Sequence, residues 1–168
     1  MTIFVINGQG RVGKDTFVSY AIQYLNNEHQ QQTLCMSSVD EVKKYGRLLG
    51  WDGVKDEKGR KFLSDLKELS SRYHGPIKYM SNIIEDNKDV DVAFTFIREP
   101  EEIKKFVKCY PSAITVLIER GKSAKLGNIS DDDVENYVYD HYIDNNGTEQ
   151  QLEKSAKELM NTTVISFT

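Results

Sequence analysis

One stretch near the N-terminus, Gly8-Gln9-Gly10-Arg11-Val12-Gly13-Lys14-Asp15-Thr16, limits this chain more than any other feature. Before it, Ile3 to Ile6 is a short apolar, β-branched run that ends at Asn7-Gly8 and reads as a buried strand. After it, Lys14 to about Glu28 carries Phe17, Val18, Ala21, Ile22 and Leu25 at helical spacing. Strand, glycine-rich turn, lysine and helix together fit G-x-x-x-x-G-K, the P-loop. The glycines let the backbone curl so that successive N–H groups point inward at an anion. The helix N-terminus adds its positive end.

The expected ligand is therefore the phosphate chain of a purine nucleoside triphosphate, with ATP and Mg²⁺ as cofactors. Gly8, Gly10, Arg11, Val12, Gly13, Lys14, Asp15 and Thr16 are expected to line it. Lys14 brings a full positive charge to the β and γ phosphates. The standard pattern follows the lysine with Ser or Thr to hold Mg²⁺, and here that position is Asp15. Mg²⁺ prefers oxygen ligands, so Asp15 is the first candidate for the metal, directly or through water. Thr16 comes next, with its hydroxyl placed for the α phosphate.

The rest of the chain alternates in period. Thr33 to Met36, Val90 to Ile97, Ala113 to Ile118 and Thr163 to Phe167 read as further strands. Val39 to Leu49, Gly59 to about Arg72, Ile77 to Ile84, Pro100 to Val107 and Glu149 to Met160 read as helices. The implied fold is α/β: a three-layer αβα P-loop NTPase with a mostly parallel five-stranded sheet. Ligands of such sheets bind beyond the carboxyl ends of the strands. The chain is expected to form a single domain over 1–168, with a helical insert at about 38–88 and a lid at about 120–135.

Composition excludes several classes. The chain has 168 residues, net charge −4 and an ordinary charged fraction of 29%. A nucleic-acid backbone is therefore not the expected partner. Cys35 and Cys109 belong to no CxxC or Cys/His cluster, so they are expected to be reduced, partly buried thiols. The apolar N-terminal run is too short for a signal peptide, and no segment is long enough to span a membrane. A cytoplasmic protein, monomer or homodimer, is the expectation.

Transfer of a phosphoryl group needs in-line positioning and positive charge. Arg98, at the carboxyl end of a core strand, is the first candidate to bind an acceptor phosphate. Lys43, Arg60 and Arg72 are further candidates; Lys43 fits a solvated helix face as well, and Arg60 and Arg72 fit surface helix positions. Asp40 suits a base, or a group orienting an acceptor hydroxyl, and equally an N-cap. Arg120 and Lys122 follow the fourth strand and suit a mobile lid over the nucleotide. His29, His74 and His141 are isolated and read as surface or turn residues. Trp51, Tyr73, Tyr79 and Tyr142 read as packing residues, one of which is available to stack on a base.

The string Gly13-Lys14-Asp15-Thr16 resembles that of phage and bacterial deoxynucleoside monophosphate kinases, and also that of phosphomevalonate kinases. Ser38-Val39-Asp40-Glu41-Val42-Lys43 is similar to the family's acceptor segment after the second strand. Gly50 to Asp56, with Arg60 and Leu63, resembles its Arg-bearing helical region over the monophosphate. Tyr142 to Thr148, followed by Leu152, resembles its closing I-x-N-x-G-[ST]-x-x-x-L. The resemblance implies an ATP-dependent kinase acting on a phosphorylated acceptor, most directly a (deoxy)nucleoside monophosphate. It points to Lys14, Asp15 and Arg98 for catalysis and to Asp40, Lys43, Arg60 and Arg98 for the acceptor, while position in the chain adds Arg72 to the acceptor set and Arg120 to the nucleotide.

The chain departs from that family in two places. Where the third core strand usually ends in Asp-x-Arg, it has Phe96-Ile97-Arg98, which leaves Asp15 or Glu99 for the metal. Where relatives often carry His-Ser-Glu, it has Asp131-Asp132-Asp133-Val134-Glu135. The alternatives are a catalytically reduced nucleotide-binding module, or a kinase for a non-nucleotide phosphorylated metabolite.

Overall fold

A computed structural model of the chain describes residues 1–121 and 134–167. It divides into two compact units, residues 1–35 with 89–168, and residues 36–88.

The larger unit is built on a parallel sheet. Its strands are β1 (Thr2–Asn7), β2 (Thr33–Ser37), β3 (Val92–Phe96), β4 (Ile114–Glu119) and β5 (His141–Asp144), in the spatial order β2-β3-β1-β4-β5. The first strand in sequence is thus the central one. It runs parallel to β3, with Ile6 opposite Phe96, and to β4, with Asn7 opposite Leu117. Phe4 and Ile6 point into one core with the stripe Phe17, Val18, Ala21 and Leu25 of helix α1 (Lys14–His29). Leu152, Ala156, Leu159 and Met160 of the C-terminal helix (Glu149–Thr163) complete it. Phe4 stacks on Phe94 at 5.4 Å between ring centroids. Ile3 and Val5 point the other way and are buried too, so both faces of β1 are covered, as parallel sheets require. Each large apolar side chain withdrawn in this way contributes about 1.5–3 kcal/mol.

The smaller unit is helical: α2 (Asp40–Leu48), α3 (Glu57–Tyr73) and α4 (Gly75–Asp86). Gly46 lets α2 lie close to α3, since a Cβ there would meet Leu63 Cδ2 at 3.0 Å. Asp56 caps α3 by accepting from the Gly59 N–H at 2.7 Å. Back in the larger unit, α5 (Pro100–Cys109) follows β3 and buries Ile103 and Phe106. The Glu149–Thr163 helix, α6, opens on a capping box between Thr148 and Gln151.

Three expectations are corrected. Thr163 to Phe167 is not a strand: α6 runs on to Thr163, and Ile165–Phe167 is a 3₁₀ turn. Its alternating apolar residues instead return to the α6 side of the core, where Val164 is buried. The fifth strand is β5, which extends the sheet beyond β4. The cysteines are not partly buried; Cys35 and Cys109 are both exposed and form no disulfide. The lid expected at 120–135, with Lys122 and Asp131 to Asp133, lies almost wholly outside the described residues.

Candidate functional site

The glycine-rich loop leaves the carboxyl end of the central strand and opens α1. Gly8 has φ 144°, and a Cβ on it would stand 2.3 Å from the Ile118 carbonyl oxygen. Only glycine lets the chain turn there against the end of β4. Arg11 and Gly13 take positive φ as well, 67° and 96°. Val12 is buried beneath the loop.

Lys14 is buried, and its Nζ donates to the carbonyls of Gly8 and Gln9, each at 2.6 Å. The ammonium is thus held against the first bend of the loop. Gly13 caps α1 and offers no side-chain acceptor. The first-turn N–H groups and the helix dipole are therefore directed at whatever anion the loop cradles. Asp15 and Thr16 are exposed in that first turn, and Arg11 is exposed on the loop. Mg²⁺ bound beside nucleotide phosphates asks for only one or two protein carboxylates, so Asp15 suffices in kind. No cluster of three or more His, Cys, Asp or Glu occurs among the described residues. An all-protein metal cage is thus absent from that part of the chain.

Two buried asparagines hold the loop from outside. Asn7 Oδ1 accepts from the Gly8 N–H at 2.8 Å, and its Nδ2 donates to the Arg98 carbonyl at 2.9 Å and to Tyr139 Oη at 2.7 Å. Asn145 Nδ2 donates to the Val12 carbonyl at 2.8 Å, and its N–H donates to the Glu119 carbonyl at 2.7 Å. Gly121 N–H donates to Asn146 Oδ1, so the turn that bears Arg120 is tied to the segment after β5. Within the larger unit, the loop, Arg98 and Arg120 therefore share one hydrogen-bonded framework. Both arginine side chains are exposed. Phe96, where the family resemblance expects a carboxylate, lies opposite Ile6 and packs against the core. Glu99 immediately precedes α5, with Oε2 withdrawn from solvent.

The candidates of the helical unit have local partners. Asp40 accepts from the Ser37 N–H at 2.7 Å and pairs with Lys43 at 3.0 Å. Val39, not Asp40, is the N-cap of α2, and Asp40 fastens the turn from one residue inside. Arg60 Nε donates to the Lys55 carbonyl at 2.8 Å, and Arg72 pairs with Glu68 one turn earlier. Such exposed pairs stabilise by about 0–1 kcal/mol. His74 lies 3.5 Å from the buried Glu41, and His29 packs edge-on against Tyr24.

Asn7 and Tyr139 went unread in the sequence, and Asn145 was visible only as a letter of a motif. A polar residue ending an all-apolar strand beside a glycine was the available signal for Asn7. Tyr139 carried none, because its partners are distant in sequence.

No known family model matches the chain, and no curated protein matches it. Among solved structures, shikimate kinase from Aquifex aeolicus VF5 superposes with a TM-score of 0.50 at 17% identity, over 98% of this chain and 99% of that one. A sugar kinase from Janibacter sp. HTCC2649 superposes with a TM-score of 0.57 at 12% identity, over 98% and 95%. At such identities the likeness speaks for architecture alone: the chain has the three-layer α/β fold of P-loop small-molecule kinases.

Proposed function

We propose that the chain is an ATP-dependent kinase for a small phosphorylated acceptor, and that the acceptor is a (deoxy)nucleoside monophosphate. The observation that carries this reading is the loop itself, with Lys14 drawn onto the Gly8 and Gln9 carbonyls at the open N-terminus of α1. The kinases that share the fold support the reaction class. In this reading the loop N–H groups and Lys14 take the β and γ phosphates, and Thr16 the α phosphate. Asp15 would hold Mg²⁺, which when bound would supply charge neutralisation to the transferring phosphoryl group. Arg98 neutralises the acceptor phosphate at the strand end, and Arg120 serves the nucleotide. Asp40, Lys43, Arg60 and Arg72 form the acceptor-recognising set. An acceptor phosphate oxygen bonds to the γ phosphorus as the bond to the β–γ bridging oxygen breaks, and ADP leaves.

The test is a coupled ADP-release assay across nucleoside monophosphates, dephospho-coenzyme A, phosphomevalonate, shikimate and simple sugars. Stimulation by a nucleoside monophosphate, lost in Lys14→Ala, is the expected result. Stimulation by none of them would remove the proposal. Phe96 favours a second reading, a nucleotide-binding module without turnover, because a core-packed ring takes the place of a metal-facing carboxylate. Calorimetric ATP binding with no transfer to any acceptor would support it.

A further inference from the structure

We infer that Asn7 is a positioning residue, whose side chain fixes where the phosphate loop begins and where Arg98 leaves β3. The inference rests on the kinase reading for its functional meaning.

An asparagine amide has one acceptor oxygen and two donor hydrogens. Asn7 is fully buried, and all three capacities are used on different segments. The oxygen takes the N–H of Gly8, the first residue of the loop. One hydrogen holds the carbonyl of Arg98. The other reaches Tyr139 Oη, which itself donates to the Val134 carbonyl at 2.9 Å. Burial pushes the Tyr139 phenol up to about 12, so it keeps its proton and the direction of this chain is fixed. Rotating the amide by half a turn would set its oxygen against the Arg98 carbonyl, so only one orientation satisfies the site. Serine is too short to bridge the three partners, and aspartate has no hydrogen for either donor bond.

Arg98 lies two residues beyond the end of β3 at Phe96. The Asn7 bond holds its backbone just beyond the ladder. A change at Asn7 therefore moves the loop and Arg98 together, although Asn7 itself is fully buried.

A purely structural role would make Asn7 equivalent to any other buried hydrogen bond between β1 and β3. Thr95 supplies the comparison. Its Oγ1 donates to the Phe4 carbonyl at 2.8 Å, is fully buried, and lies on the same two strands away from the loop. The experiment compares Asn7→Ala, Tyr139→Phe and Thr95→Val in the full chain. It measures melting temperature, affinity for a fluorescent N-methylanthraniloyl-ATP, and kcat with the best acceptor. We expect Asn7→Ala, and to a smaller degree Tyr139→Phe, to weaken nucleotide binding about fivefold or more and to lower kcat about tenfold. Thr95→Val, at a similar loss of melting temperature, should leave both within about twofold. Tyr139→Phe keeps the ring packing, so it reports even if Asn7→Ala does not fold. Equal losses in Thr95→Val and Tyr139→Phe at matched stability would overturn the inference. A wild-type protein that binds nucleotide but transfers to no acceptor defeats the kinase reading, while the affinity comparison still decides this one. A wild-type protein that binds no nucleotide overturns both.

Discussion

Asn145 donates its side-chain amide to the carbonyl of Val12 across 2.8 Å, joining the end of the phosphate loop to the segment after β5. The same nitrogen stands 2.4 Å from the position that a Cβ on Gly13 would occupy. Asn145→Ala leaves a buried carbonyl unpaired and should cost about 1–3 kcal/mol. Gly13→Ala combines that collision with a φ of 96° and should cost about 3 kcal/mol or more. In the double variant the collision is gone, while the backbone strain and the unpaired Val12 carbonyl remain. Its loss should fall short of the sum of the two single losses, as read by urea denaturation. Strict additivity would refute the contact.

Gly8→Ala should be more severe than either. The added methyl meets a backbone oxygen, that of Ile118 at 2.3 Å, rather than the end of a flexible side chain. The loop or β4 has to move. Nucleotide titration should show affinity reduced by about a hundredfold or more, which corresponds to about 2.7 kcal/mol. Retention of wild-type affinity would mean that the loop does not hold the phosphates.

Asp15 is the loop's own carboxylate and lies exposed in the first turn of α1. In the kinase reading, Asp15→Asn should raise the Mg²⁺ concentration for half-maximal turnover by about tenfold. Metal-free ATP binding should be unchanged or tighter, because a negative charge near the phosphates has been removed. An unaltered Mg²⁺ dependence would transfer the metal role elsewhere, with Glu99 next to be substituted.

Four phenols among the described residues are raised, Tyr79 and Tyr137 by burial and, furthest, Tyr20 and Tyr139. Burial raises Tyr139 to about 12, and Tyr20 is raised to about 12 chiefly by its hydrogen bond to Glu149. Both are more readily protonated in the folded state than in the unfolded chain, where tyrosine titrates near 10. Their contribution is therefore complete below pH about 10 and is lost as pH rises toward about 12. Thermal melts across that window should fall steeply for the wild type and less steeply for Tyr20→Phe and Tyr139→Phe. Parallel curves for all three would contradict the assignment.

Local chemistry made much of this fold legible. The run Ile3 to Ile6 announced a buried strand, and the glycines with Lys14 announced a phosphate loop opening a helix. The helices carried their stripes in plain view, and Pro100 marked the start of α5 within a residue. β5 was missed because it is short and half-exposed at the sheet margin, so His141 to Asp144 shows no apolar run. The tail misled for the opposite reason: its apolar alternation suits a strand, but β5 extends the sheet beyond β4. Of the site, the phosphate loop was legible because its chemistry is local. Asn7, Tyr139 and Asn145 act through partners brought close only by the sheet, and no spacing in the sequence encodes them.

The central position of β1 has a cost during synthesis. Of the five strands, β1 emerges first and waits longest for its two neighbours: Thr2 waits for Val92, and Phe4 for Ile114. Until β3 emerges an apolar, β-branched segment has neither edge covered, and until β4 emerges it has one edge bare, a condition that slows folding and favours misassociation with other chains. Fragments that stop before β4 should therefore be sticky and short-lived, and the phosphate loop should gain its shape only after β4 and Asn145 have emerged.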